Sequence, residues 1–540
     1  MENMQGKYES IVKIKTAEIF YYLFWIIMLF AKGIGLYEGM KEYKICLILA
    51  MFFLFVKLVL TEYMISDFLW MIPAVGMGTW VYLNAKDQSL FILVAVMIGL
   101  KGIRLSRVFK IGLLTWGTCF GYMILKSLLF GDSGPVLAHE KLGLGPILRM
   151  SLSYTHPNVL HITYVVLAAF ILYIWNLKPG RKQGKITAVL LAGNFYVFMY
   201  SVSFTGFGLM LILLMCNFYL QNRPKLSKIE KGLLFFALPI CIVFSLILPI
   251  SLRDPGILFG LFNKILNNRF LATRVYLEEL GITLWGIDVP QIGKFAIDCS
   301  YTEAILSYGT VIFGILMISY MATIYYMIRN DYKNELAIIL SLIIAGISEP
   351  FLFNASFKNI TVLFVGQYLF EKSLQCGKEK QKSVLQIKIP MLSKWNREKK
   401  ISLSALKKWL EAEAEFKKKY SPKMAVHFLV GFIVFAAAAS VWADRPDSIY
   451  IGVTAADCGE QEVKYLDMRD LPEEFHSDVY MYAGPETPLY EFRGNMLTVE
   501  YVRKIISGGA WGSGISMLII ASIIMYKNRV KNENIKRKIS

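Results

Sequence analysis

The chain has 540 residues, 56% of them hydrophobic and 14% aromatic, and carries a formal net charge of +18. That apolar share excludes an ordinary soluble domain and makes lipid the main solvent. The positive charge does not point to nucleic acid, because Lys and Arg gather at the boundaries of apolar segments, as the positive-inside bias requires, and form no single continuous face.

About fourteen apolar segments follow one another along the chain. Lys13 and Lys15 precede the first, and no small-x-small cleavage pattern follows it, so it reads as an uncleaved first span. In hydrocarbon each span must satisfy its own backbone hydrogen bonds. The runs near 19–36, 45–60, 64–82, 88–100 and 109–130 are therefore expected to be helices. Lys57 and Lys126 lie near the ends of their spans and are expected to snorkel. Cys46, Cys119, Cys216 and Cys241 fall inside apolar segments, where a small soft side chain is ordinary packing.

A polar cluster from Arg149 to Asn158 then interrupts the apolar pattern. Pro157 suits the first turn of a helix, where its missing N–H is spare, and it pushes His156 out of helical geometry. His156 therefore sits at a helix mouth, either as a cap or, with Arg149 nearby, at an anion site favoured by free N–H groups and the helix dipole. His161, one turn deeper on the face of Asn158, is a polar residue within the membrane. It faces a cavity or, more simply, hydrogen-bonds to a neighbouring helix.

Further helices are expected near 158–177, 186–201, 206–220 and 232–250, then near 303–327, 336–348 and 359–371, and finally near 424–442 and 513–526. Arg104 with Arg107, Arg181 with Lys185, Arg223 with Lys231, and Arg329 with Lys333 fall on one side, which the bias assigns to the cytoplasm. Lys41 and Lys44 break this pattern on the first outer loop, but the later turns agree, and both termini are expected inside.

The loop at 251–302 is expected outside, yet it holds Arg253, Lys264, Arg269 and Arg274. In the stretch Gly256 to Leu280, Leu258, Phe262, Ile265 and Leu266 suggest a helix lying in the interface. Several Arg beside Asp298, Tyr301 and Glu303 suit a phosphate-bearing lipid. Arg269 and Arg274 would diverge by about 140° on one regular helix, so both serve one substrate only if the helix ends between them.

From 373 to 423 the chain turns strongly basic, through Lys378, Lys380, Lys382, Arg397, Lys399 and Lys400. This reads as a cytoplasmic linker, either lying on anionic lipid or solvated as a basic tail. The module at 424–540 encloses an outer segment, 443–507, that is acidic around Asp467 to Glu474. Cys299 and Cys458 both fall outside, which leaves a disulfide between them open.

The architecture expected is an all-α polytopic membrane helix bundle. Residues 1–372 form a domain of about twelve core spans, followed by the linker at 373–423 and a C-terminal two-helix module. No Asp-x-Asp pair occurs, and no His, Cys and carboxylate set has metal-ligand spacing, so neither a metal nor another cofactor is implied. An enzyme handling a diphosphate without a metal must neutralise the leaving group with fixed cations, which Arg does in bidentate fashion.

Arg149 through Tyr154-Thr155-His156-Pro157-Asn158 resembles the Arg-x-Ser-Leu-Gly-aromatic-x-His-Pro-Asn run of the O-antigen polymerase and ligase superfamily. Ser203-Phe204-Thr205-Gly206 is similar to its Ser-Arg-Thr-Gly, and Asn263 through Arg269 to its Asn-Lys-hydrophobic-Leu-Ser-Gly-Arg. Gly281-Ile282, Gly286, Asp298-Cys299-Ser300-Tyr301, Tyr308-Gly309, and Glu349 with Asn354 and Asn359 continue the resemblance in order. Phe204 stands where the family often has Arg, and Asn267-Asn268 replace Ser-Gly, which puts a cationic role at the first and a backbone bend at the second in question. The likeness ends before Ser373. The terminal module vaguely resembles chain-length regulators of the same pathways; because every family-like residue precedes Ser373, it is expected to be dispensable for glycosidic bond formation, and its loss to alter product length or complex formation instead.

The resemblance implies a bacterial enzyme, multi-pass in the cytoplasmic membrane, that polymerises oligosaccharide repeat units carried on a polyprenyl diphosphate into surface or capsular polysaccharide at the outer face. It implies inversion and loss of the lipid diphosphate. Arg269 and Arg274, helped by Arg149 or Arg253, would hold the diphosphate. His156, Asp298 or Glu349 would take the acceptor proton, with His156 leading by its intrinsic pKa. Asn158 and Tyr301 complete the expected substrate-binding set. Membrane lipids, a flippase and a chain-length regulator are the partners implied. Three other readings remain: a ligase that transfers the glycan to another acceptor, a flippase or transporter of the lipid-linked oligosaccharide, and a structural or regulatory membrane scaffold, which suits the terminal module alone.

Overall fold

Every apolar run expected above is built on a helix, whose backbone hydrogen bonds close within the segment save at one break, at Gly309. The computed structural model describes residues 11–130, 134, 136–140, 146–178, 180, 182–293, 295–376, 388–389, 392–402, 404–442, 448–452, 467–480, 484, 487–492 and 495–539. Strand β1 (Ile11–Lys15) leads into α1 (Thr16–Gly33) and α2 (Lys41–Leu60); β2 (Tyr63–Met64) precedes α3 (Ile65–Ala85), α4 (Ser89–Gly99) and α5 (Leu105–Phe130). A hairpin of β3 (Val136–Glu140) and β4 (Pro146–Met150) joins α5 to α6 (Pro157–Asn176), and α7 (Gln183–Ser201) and α8 (Phe204–Asn222) follow. Helix α9 (Lys228–Ile242) runs through a π-helical turn, Val243–Ile247, into α10 (Leu248–Ser251).

Next come α11 (Ile257–Ile265), α12 (Arg269–Leu280), α13 (Ser300–Arg329), α14 (Lys333–Ala345) and α15 (Val362–Cys376). The chain ends with β5 (Lys388–Ile389), β6 (Glu398–Ser402), α16 (Ser404–Trp442), β7 (Ile449–Gly452), β8 (Val479–Tyr480), β9 (Leu489–Phe492) and α17 (Asn495–Ile539). The strands form only small peripheral sheets, paired β1–β6, β2–β5 and β3–β4, with β8–β7–β9 between the last two helices. Among the described residues nine helices are long and apolar enough to cross a membrane. The chain is an all-α membrane bundle.

Helix α4 is short, yet the chain changes ends across it: Lys86, before it, pairs with Asp288 of the outer loop, and Lys101, after it, pairs with Asp67 at the end that carries the basic turns. The 11 residues of α4 reach about 16 Å, half of a hydrocarbon core of about 30 Å. Ten of the eleven are buried, packed by α3 and α15, and Phe91 is half-buried. Lys57 departs from expectation. Its side chain does not snorkel but is fully buried, with Nζ 3.4 Å from the Tyr63 hydroxyl.

The turns rich in Lys and Arg share one end of the bundle. Lys333 Nζ donates to the carbonyls of Arg223 (2.6 Å) and Pro224 (3.0 Å), and Asn176 Nδ2 donates to Asn217 (2.7 Å) and Asn334 (3.0 Å). The linker meets this same end. There β6 pairs antiparallel with β1 and β5 with β2, and Leu392 N–H donates to the Val59 carbonyl at 3.1 Å, while the side chains of Arg397, Glu398 and Lys399 stay exposed. Pairing with chain edges at the mouths of α1 and α3 satisfies backbone groups that lipid headgroups would leave to water.

At the opposite end α13 is broken at Gly309, where φ is +77°. The freed backbone groups are taken up by the loop at 283–287: Ile287 N–H donates to Leu306 O (2.9 Å), and Thr310 and Val311 N–H donate to Thr283 O (2.9 Å) and Leu284 O (3.2 Å). Irregular backbone in such a place persists only where protein satisfies it. A Cβ on Gly309 would lie 2.3 Å from Gly286 N, and one on Gly286 would lie 2.1 Å from Ser307 O, so the close approach requires glycine on both sides.

The stretch Gly256 to Leu280, expected to hold a helix lying in the interface, forms two. Asn267 (φ +53°) and Asn268 (φ +65°) both adopt the left-handed region, which Asn tolerates better than other residues bearing a Cβ. Asn263 clamps the corner, with Nδ2 donating to Asn268 Oδ1 and Oδ1 accepting from Leu271 N–H, each at 2.9 Å. Two asparagines thus supply the bend that the substitution of Ser-Gly had put in question.

Candidate active site

The bend at Asn267–Asn268 puts Arg269 at the start of α12 and turns it inward, leaving the side chain 9% exposed. Its Nε donates to Asp298 Oδ2 at 2.9 Å, and Nη2 lies 3.6 Å from Glu349 Oε1. Asp298 ends the outer loop two residues before α13. Glu349 sits in the turn after α14, where Ser300 ties the segment down by donating to the Glu349 carbonyl (2.5 Å) and accepting from Leu352 N–H (3.0 Å). Thr205, in the first turn of α8, donates to Glu349 Oε1 at 3.0 Å. Ser203 caps that helix by accepting from Gly206 N–H at 3.3 Å.

Arg149 approaches from β4 and is 3% exposed. Its Nε donates to the Ser201 carbonyl at the C-terminus of α7 (2.8 Å) and its Nη2 to Asn158 Oδ1 (2.5 Å). Burial first, and the charge of Arg269 second, lower the Arg149 pKa to about 10, with Glu349 opposing; the group stays cationic at neutral pH. Glu349 is pushed above the usual carboxylate range, mainly by burial and then by Asp298, against the pull of Arg269 and Thr205. Lys358, half-buried in the same turn, is lowered by burial and by Lys32 to about 8, with Glu349 opposing. The site therefore has three cations and two carboxylates, held by β4, α8, α12 and the turns before α13 and after α14.

Of the residues expected from the sequence, Arg149, Asn158, Arg269, Asp298 and Glu349 come together. The others are placed differently. His156 is the N-cap of α6, with Nδ1 accepting from Asn158 N–H at 3.0 Å, so its ring folds back onto its own helix. Arg274 does not share the Arg269 site, because α12 runs unbroken through both residues and turns them apart. It donates instead to Glu278 (2.8 Å) and the Leu252 carbonyl (3.1 Å), and stacks over Phe259. Tyr301 is fully buried and donates to the Ile343 carbonyl at 2.6 Å, which makes it a packing residue. Arg253 is exposed in the turn between α10 and α11.

His161 bonds to Ser201 Oγ (2.9 Å) and Asn194 Oδ1 (2.7 Å), the simpler of its two expected roles. Phe204 packs its ring against Phe198, so the position where the family often has Arg carries no charge here. Cys299 is a buried free thiol, and Cys458 lies outside the described residues. Thr205 and Lys358 were not singled out from the sequence as site residues, although each stands in or beside a motif that was. Among the described residues no three His, Cys or carboxylate side chains gather as metal ligands.

No family model, curated protein or solved structure matches the chain. Fold and site together define an all-α membrane protein with two buried arginines, a buried glutamate and a part-exposed aspartate gathered at the end opposite its basic turns.

Proposed function

We propose that this protein is a membrane glycosyltransferase of about twelve core spans that joins oligosaccharide repeat units carried on a polyprenyl diphosphate, working at the outer face of a bacterial cytoplasmic membrane. The observation that carries the reading is the meeting of Arg149 and Arg269 with Asp298 and Glu349, drawn from separate elements at the end that the Lys and Arg bias assigns to the outside. Both termini then lie in the cytoplasm.

In the reaction, the hydroxyl oxygen of an acceptor unit attacks the anomeric carbon of the donor from the face opposite the diphosphate. The bond from that carbon to the diphosphate oxygen breaks, and its electron pair leaves with the lipid diphosphate. The hydroxyl proton passes to Glu349, whose raised pKa suits a proton acceptor. Arg149 and Arg269, both largely buried, stabilise the charge that develops on the leaving group. Asp298 fixes the Arg269 fork through Nε.

Lipid-linked glycans from cells with and without this chain test the reading. Polymer should be present only with it, and single repeat units on lipid should collect at the outer face without it. Accumulation at the inner face would mark a transporter. Normal polymer with loss only of glycan on its final acceptor would mark a ligase.

A further inference from the structure

Arg503 in α17 is as buried as Arg149, at 3% exposed, although it belongs to the terminal module. Its Nε donates to the Met199 carbonyl at 2.7 Å and its Nη2 to the Leu148 carbonyl at 2.8 Å, while Nη1 pairs with Glu500. Leu148 is the residue before Arg149. Met199 lies in the last turn of α7, whose Ser201 carbonyl accepts from Arg149 Nε. Two guanidinium groups from distant parts of the chain thus occupy one helix C-terminus, where the last carbonyls lack intrahelical partners and carry partial negative charge. The Tyr200 hydroxyl donating to Ser507 at 2.7 Å extends the same contact.

We propose that Arg503 is a positioning residue: it holds the peptide before Arg149 and the end of α7 in one register, and so sets how the Arg149 guanidinium meets the lipid diphosphate. The terminal module then tunes donor binding as a built-in part of the site. This rests on the diphosphate reading above. Arg503 touches neither substrate nor reacting atoms and acts only through Arg149. A lysine in its place offers a point charge and cannot reach both carbonyls as the fork does.

The test is a double-mutant cycle on the full chain in detergent, with farnesyl diphosphate titrated calorimetrically. Arg149→Ala and Arg503→Ala should each weaken binding by on the order of tenfold, the loss that follows when about 1.4 kcal/mol of interaction is removed. The double variant should bind no worse than Arg149→Ala, because a residue acting through Arg149 has nothing left to act on. If Arg503→Ala does not fold, Arg503→Lys carries the same cycle. Amide exchange over residues 147–154 should also be faster in the Arg503 variant than in the wild type.

Wild-type affinity in the Arg503 variants, a second loss that simply adds to that of Arg149→Ala, or unchanged exchange overturns the inference and leaves the diphosphate reading standing. A wild-type protein that does not bind the diphosphate overturns both.

Discussion

Arg269 and Glu349 face each other with Nη2 and Oε1 3.6 Å apart, although one residue opens a helix of the outer loop and the other follows α14. The pair exists because Asn267 and Asn268 turn the chain sharply before Arg269, while Ser300 anchors the turn that carries Glu349. Charge of both signs is thereby held in place before any substrate arrives, which is the condition for electrostatic stabilisation without reorganisation.

The raised pKa of Glu349 gives the transfer reaction an acidic limb. As a proton acceptor Glu349 must be ionised, so the rate should fall as pH drops through its raised value, above the ordinary Glu pKa of about 4.3. The rate of repeat-unit transfer by protein in vesicles, measured against pH, checks this. Glu349→Gln should be slow throughout and should lack that limb. A limb that persists unchanged in Glu349→Gln assigns the base elsewhere.

Lys358 should set an alkaline limb by the opposite sign. Burial lowers its pKa to about 8, so its positive charge is lost as pH rises past that value, and with it part of the attraction for an anionic donor. Lys358→Arg keeps the charge and should move the alkaline limb upward in the same assay. Coincident alkaline limbs in the two proteins would remove Lys358 from the account.

The broken helix α13 yields a stability test. Gly309→Ala puts a Cβ 2.3 Å from Gly286 N at a residue with φ of +77°. With ψ at 166°, this backbone falls in a region essentially reserved for glycine, which alone costs a side-chain-bearing residue about 1–3 kcal/mol, before any displacement of the 283–287 loop. Thermal unfolding in detergent should show a clear loss for Gly309→Ala and little change for Gly314→Ala, where a Cβ meets open space. Equal unfolding temperatures would mean that the two glycines do not need their close approach.

Orientation is accessible to single-cysteine labelling in a cysteine-free background. Asp470→Cys, on the outer segment, should react with an impermeant reagent on intact cells, and Lys394→Cys, in the docked linker, should not. The reverse pattern would invert the topology and place the Arg269 site in the cytoplasm.

The helices were legible in the sequence because hydropathy and the hydrogen-bonding demands of a bilayer act locally. His156-Pro157 read correctly as a helix entrance for the same reason: proline geometry needs no tertiary context. Arg149, Asn158, Arg269, Asp298 and Glu349 were legible as candidates, but their meeting depends on the Asn267–Asn268 corner. Sequence periodicity cannot separate that corner from a helix continuing toward Arg274. Arg503 carried no signal, since a buried guanidinium that caps a helix far away in the chain resembles any Arg flanking a span. Lys57 misled in the same way: proximity to a span end suggests snorkelling, and only packing shows that the side chain is enclosed. The linker pairings depend on strand edges contributed by β1 and β2, which neither partner reveals alone.

The most direct measurement of the central claim is the lipid-linked glycan content of cells carrying Arg269→Ala in place of the wild-type chain, with the protein confirmed in the membrane. Removing a preorganised donor of this kind costs about a hundred- to thousandfold in rate. Polymer should therefore disappear and single repeat units should accumulate on lipid at the outer face, with Arg269→Lys recovering little because the bidentate fork is lost. Polymer made at the normal rate, or repeat units held at the inner face, would contradict the account.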